Sequence, residues 1–197
     1  MSKADKQQQF MKACLNHVVF DGWSPATFQR AMTDLNITEG EAKRLFPGEI
    51  ADVLEHFMQS LDVAMVQALK TRNLETMKRG EQVEEAIMAR LHAALPHREG
   101  VRRAVAWYAL PFHAHLGIKR LYNTTDAIWR AIGHHPTDFS YYTKRFSLGA
   151  IYSTTLMFWL NDHSDDLSET RAFLKRRLGD LFTFHKLKQK LKAGAYH

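Results

Sequence analysis

Two pairs of histidines, His113 with His115 and His134 with His135, are the first residues whose types suggest chemistry. Imidazoles share a metal when they lie on one helix face, as an i, i+4 pair does. Residues two apart diverge on a helix, and His134-His135 are neighbours in a predicted turn. No HExxH or ExxH arrangement occurs, and Cys14 is the one cysteine among 197 residues. An internal disulfide and a Cys-rich metal site are thereby excluded. A single thiol fits a reducing compartment. A Gly-rich phosphate loop and a GxSxG elbow are absent too. The expectation is a protein that is not an enzyme, with no metal site and no cofactor.

Other residues have the makings of binding surfaces. Asp126 and Arg130 stand at i, i+4, a spacing that bridges along a helix or meets a polar ligand group. Asp138, Tyr141, Tyr142 and Arg145 share a face at i, i+3, i+4 and i+7. Two aromatics beside charges fit a binding hot spot, and equally an N-terminal charge above core rings. Aromatic and sulfur side chains crowd the chain after residue 100. Trp107, Tyr108, Phe112, Trp129, Tyr152, Thr155, Phe158 and Trp159 are the candidates to line a ligand pocket. Helical periodicity also admits a packed core. Gly149, Ala150, Ser153 and Thr154 could leave room for a ligand or let two helices approach closely.

Charge singles out the C-terminal stretch. Arg171 to Lys192 holds eight basic residues against Asp180 alone, more than the whole net charge of +6. Phe184, Leu187 and Leu191 form an apolar stripe there, flanked by Lys186, Lys188, Lys190 and Lys192. Lysines around an apolar ridge suit an interfacial helix on an anionic membrane. The stripe is rotated from the Leu174, Leu178, Leu181 face, which predicts a bend near Thr183 or separate docking of the tail. The beginning of the chain is polar and mixed in charge, unlike a signal or transit peptide. The apolar run from Leu148 to Leu160 is too short to span a bilayer. The expected location is the cytoplasm, peripheral at the inner face of the cell membrane.

Caps and apolar periodicity place the elements that must hold these residues. Helices are predicted near 4–20, 25–34, 38–46, 49–69, 82–95, 99–109, 112–132, 137–160 and 169–192. Gly22, Pro47-Gly48, Pro96, Pro111 and Gly133 punctuate them. The fold class is all-α, a bundle of about nine or ten helices. Three segments follow: residues 1–48, a three-helix module; 49–182, a helical ligand-binding body; 183–197, a basic amphipathic tail.

The first module has a recognisable rhythm in Gly22-Trp23-Ser24, Thr27-Phe28, Leu35-Asn36-Ile37, Thr38-Glu39-Gly40-Glu41 and Leu45-Phe46-Pro47. It resembles the helix-turn-helix of TetR-type repressors, whose third helix reads the major groove. A ligand-responsive TetR-type transcription repressor is therefore the alternative reading. From Ser24 to Ile50, however, Arg30, Lys43 and Arg44 face Asp34, Glu39, Glu41 and Glu49. The sum over that stretch is −1, and Glu39 and Glu41 stand at the start of the presumed reading helix, where they repel phosphate, so no nucleic-acid partner is expected.

The most specific resemblance lies further on. Leu121 to Arg130 (LYNTTDAIWR), Thr137 to Arg145 (TDFSYYTKR), Tyr152 to Thr155 (YSTT) and Thr170 to Arg177 (TRAFLKRR) look like the signature of the coenzyme Q biosynthesis protein nine family. That resemblance implies a TetR-like fold, a homodimer, and an accessory role in ubiquinone biosynthesis. It implies that the helical body binds an isoprenoid lipid or quinone intermediate and presents it to a membrane-associated di-iron quinone hydroxylase. The partner-facing patch would comprise Asp138, Tyr141 and Tyr142, with Lys144 and Arg145 joining by proximity. The family's terminal amphipathic helix implies membrane binding by Phe184, Lys186, Leu187, Lys188, Lys190, Leu191 and Lys192. The chain departs from the pattern at His134-His135, where an acidic residue is common, and at Tyr141, often Trp.

Overall fold

Ser2 begins the first helix by a reciprocal cap. In the computed structural model its hydroxyl accepts from the Asp5 amide at 3.1 Å, and the Asp5 carboxylate accepts from the Ser2 amide at 2.8 Å. The structure describes the backbone of residues 2–133 and 140–194, and the side chains of 2–133 and 145–181. Helix α1 runs Lys3–Asp21 and ends at Gly22, whose φ of 65° suits glycine. Ser24 caps α2 (Pro25–Leu35), with Pro25 in the first turn. Asn36, at φ 48°, reverses the chain. Thr38 and Glu41 form a second reciprocal cap on α3 (Glu39–Leu45).

Six longer helices follow: α4 (Ile50–Leu69), α5 (Arg79–Ala94), α6 (Arg98–Tyr108), α7 (Ala114–Ala131), α8 (Ser140–Trp159) and α9 (Ser168–Gly194). Short 3-10 turns occupy Leu74–Thr76 and Leu95–His97. The described residues form no strand, and the fold class is all-α as expected. Two details differ from the sequence reading. Helix α5 starts at Arg79, because the Glu81 carboxylate caps the Lys78 amide at 2.8 Å and Gly80 is carried inside the helix. Helix α9 continues through Thr183, where a bend was predicted. No helix among the described residues is long and apolar enough to cross a membrane.

The chain divides into two compact units, residues 1–64 with 93–120, and residues 65–92 with 121–197. The core of the first is aromatic. Phe10 lies between Phe28 (centroids 4.9 Å apart) and Phe46 (5.6 Å). Trp23 stacks on Phe57 at 5.4 Å, and its indole N–H donates to the Gly100 carbonyl at 2.9 Å. A Cβ at Gly100 would stand 3.3 Å from Leu15, so glycine lets α6 come close there. Arg120 is buried and paired, to Glu55 at 2.6 Å and to Asp62. Two carboxylates around one buried guanidinium keep its charge compensated.

The core of the second unit joins Ile87 and Leu91 of α5, Ile128 of α7, Leu148 and Trp159 of α8, and Leu174 of α9. Charges at its edge tie α9 to α5. Arg171 donates to Glu84 at 2.7 Å and to Glu85 at 2.6 Å. Partial burial pushes the Arg171 guanidinium down, but bonds to Glu85 and Glu84 outweigh it and hold the pKa above its ordinary value.

Candidate functional site

The five pocket candidates in the second unit sit on α7 and α8. Tyr152, Thr155 and Trp159 follow one another down one face of α8, and all three are buried. Trp159 and Thr155 expose no surface, so no water-sized space adjoins them in this conformation. The Thr155 hydroxyl donates to the Ile151 carbonyl at 2.7 Å, which satisfies it within its own helix. The Tyr152 hydroxyl accepts from the buried Arg90 guanidinium, which also lies 5.2 Å from the tyrosine ring centroid. Trp129 is buried nearby in sequence terms on α7, and Phe158 is half-buried, stacked on Phe173 at 4.5 Å.

The other three candidates, Trp107, Tyr108 and Phe112, belong to the first unit. There Trp107 meets Tyr108 edge-on at 5.3 Å and His113 face-on at 3.5 Å. Phe112 is 86% exposed and lines no closed space. The eight residues grouped by composition are thus divided, five in one unit and three in the other.

Asp126 is the hub of the polar cluster on α7. It bridges to Arg130 at 2.6 Å, the predicted i, i+4 pair, and also accepts from Arg145 of α8. Arg145 is buried, with its guanidinium 5.9 Å from the Tyr122 ring centroid. The sequence reading placed Arg145 in a partner-facing patch by proximity; the structure turns it inward, because a buried cation needs a carboxylate beside it. Asp138, Tyr141, Tyr142 and Lys144 lie outside the residues whose side chains are described, and so does the whole tail set from Phe184 to Lys192.

Gly149 of α8 is buried against α7, and a Cβ there would lie 3.6 Å from Leu121 and 3.8 Å from Thr125, ordinary contact distances that leave room for a methyl group. Ala150 and Thr154 face outward.

A feature that the sequence did not suggest is a cleft of about 980 Å³ in the first unit. Gln8, Lys12 and Asn16 of α1 form one polar side, and Phe57 and Leu61 of α4 form an apolar floor. His97 also lines the cleft, edge-on to Phe57 at 5.9 Å, and burial pushes its pKa below the ordinary imidazole value. The only sequence signal was the amphipathic pattern of α1, which reads as an ordinary solvated face.

Among the described residues no three His, Cys, Asp or Glu side chains come together as a metal site. The Cys14 thiol is buried, and burial with the nearby Asp34 charge pushes it up to about 12, far from a reactive thiolate.

Comparison with known families bears on the segment just described. The COQ9 family model matches residues 114–185, from the start of α7 into α9. Over that segment the chain is similar to the COQ9 family. It is 26% identical to the human ubiquinone biosynthesis protein COQ9, mitochondrial, over 95% of this chain and 61% of that one. It is 29% identical to COQ9-A of Xenopus laevis over 92% of this chain and 59% of the relative. The chain therefore spans about three fifths of the length of these curated COQ9 relatives. Among solved structures, the TetR transcriptional regulator from Nitrosomonas europaea superposes with a TM-score of 0.73. That match covers 89% of this chain and 97% of the regulator at 18% identity, which makes the fold TetR-like.

Proposed function

We propose that this chain is a non-catalytic lipid-binding accessory protein of ubiquinone biosynthesis. The observation that carries the proposal is the COQ9 family match across α7, α8 and the start of α9, whose curated relatives are ubiquinone biosynthesis proteins. In this reading the body takes up an isoprenoid quinone intermediate and presents it to a membrane-associated di-iron hydroxylase. The ligand-contacting residues would come from Trp129, Tyr152, Thr155, Phe158 and Trp159. Transfer of each buried methylene of an isoprenoid chain from water contributes about 0.8 kcal/mol, so even a partly enclosed chain binds well. Because Thr155 and Trp159 are closed off in this conformation, uptake requires α8 to shift against its neighbours.

Asp138, Tyr141, Tyr142 and Lys144 would form the hydroxylase-facing patch. The basic tail would hold the protein at the inner face of the cell membrane, and the working form would be a homodimer. The protein's part is burial and delivery; the hydroxylase performs the oxidation.

A genetic test follows. Removing the gene should lower cellular ubiquinone and accumulate the precursor that lacks the hydroxyl group. Normal ubiquinone with no accumulated precursor would refute the proposal.

The likeness to a TetR regulator favours a second reading, a DNA-binding repressor. Two cations of the first module, Lys43 and Arg30, are engaged locally, however. Lys43 pairs with Glu39 at 2.7 Å and Glu49 at 3.1 Å, and Arg30 with Asp21 at 3.2 Å. Glu41 is occupied in capping α3. A gel shift on promoter DNA at physiological salt should show no discrete complex.

A further inference from the structure

The turn between α6 and α7 is a rigid corner with an apolar tip. Leu110 is 50% exposed and Phe112 86%, with the exposed Pro111 between them; Ile118, on the first turns of α7, is 71% exposed. The corner is braced from within. The His113 amide donates to the Leu110 carbonyl at 2.9 Å, and the Leu116 and Gly117 amides donate to the His113 carbonyl at 2.9 and 3.1 Å. The His113 ring stacks on Trp107 at 8° between planes, with Nδ1 3.2 Å from the Trp107 carbonyl. A Cβ at Gly117 would stand 3.0 Å from the Tyr108 Cβ, so only glycine lets α6 and α7 meet this tightly. A braced turn that keeps Leu and Phe in water has a use for them outside the unit.

Charge indicates what that use is. No Asp or Glu occurs from Gly100 to Thr125. Lys119 and His115 are exposed on α7, while Arg103 of α6 is engaged by Glu99 at 3.0 Å and by the Val19 carbonyl at 3.0 Å. Glu99, at the far end of α6, is the acidic neighbour of Arg102 and Arg103. A protein interface usually buries about 800 Å² on each partner, more than three side chains on a projecting turn supply. An aromatic and an aliphatic tip beside an exposed lysine, on a stretch of chain without acids, suits the headgroup zone of an anionic bilayer.

We propose that the Leu110-Pro111-Phe112 corner is a membrane contact in its own right, inserting Leu110 and Phe112 into an anionic phospholipid surface. It deepens the membrane part of the function proposed above, and it acts independently of the basic tail.

The test places an environment-sensitive fluorophore on Phe112→Cys in the full chain; the buried Cys14 is protected from labelling. Glu75→Cys, an exposed position outside the corner, is the reference. Vesicles are phosphatidylcholine alone or mixed with phosphatidylglycerol, with nitroxide lipids as quenchers. The expected result is a blue shift and quenching at position 112 only, with the mixed vesicles. The double variant Leu110→Ser/Phe112→Ser should partition to those vesicles about tenfold more weakly with unchanged helicity. If the chain sediments with vesicles while the label at 112 stays water-like, the corner proposal fails and the tail reading stands. If nothing sediments, both fail. A shift that grows with protein concentration without vesicles also overturns the proposal, since the corner would then join two copies.

Discussion

Asp162 begins α9 with a single carboxylate. It accepts from the Ser164 amide at 2.8 Å and hydroxyl at 2.6 Å, and from the Thr170 amide at 2.9 Å. Burial alone would raise its pKa, but these hydrogen bonds win and hold it at about 2. The folded value lies below the ordinary carboxylate value of 3.8, so its stabilisation is complete above that value and disappears as pH falls towards 2. Asp162→Asn should cost about 2 kcal/mol in urea unfolding at neutral pH, with the gap to the parent closing in acid. An equal gap at both pH values would mean that the carboxylate's charge is not what matters. Gly149 makes the opposite prediction. A Cβ there meets only ordinary contacts with Leu121 and Thr125. Gly149→Ala should therefore raise stability by about 0.5–1 kcal/mol, read as a higher Tm, through a less entropic unfolded chain.

At the scale of elements, most helix ends were legible because their caps are local. Ser24, Asn36, Thr38, Gly22 and Gly133 act where the sequence placed them. The start of α5 was not, since its cap is a Glu side chain reaching back to Lys78 and its first turn contains Gly80. The i, i+4 pair Asp126–Arg130 was readable, while Asp126–Arg145 was hidden, because periodicity fixes a face but not which helix packs against it. That pairing makes α7 and α8 one polar joint. The C-terminal element has its own prediction. Deleting residues 183–197 should abolish the tail's share of binding to phosphatidylglycerol vesicles, measured as at least a severalfold loss in sedimentation, and leave the melting of the remaining helices intact. Undiminished vesicle binding by the shortened chain would remove the tail from the membrane account.

For the whole molecule, the all-α class could be read from caps and periodicity, because helix length and loop brevity are written locally, while the TetR-like pattern came from resemblance of the residues in the first module. The candidate pocket could not. Aromatic density marked eight residues, yet five pack the second unit and three build the α6–α7 corner of the first. The cleft beside α1 was not legible as a cleft, since its Gln8, Lys12 and Asn16 look like any wetted helix face. The function proposed for the chain is uptake of a greasy ligand. The direct measurement is mass spectrometry of lipid extracted from the gently purified full-length protein. Isoprenoid quinone or its precursor should co-purify in near-stoichiometric amount and be lost from a variant in which Tyr152 and Trp129 are replaced by Ala but the helices persist. Protein that is lipid-free from a quinone-producing host, and that stays lipid-free when mixed with quinone-loaded vesicles, would contradict the account.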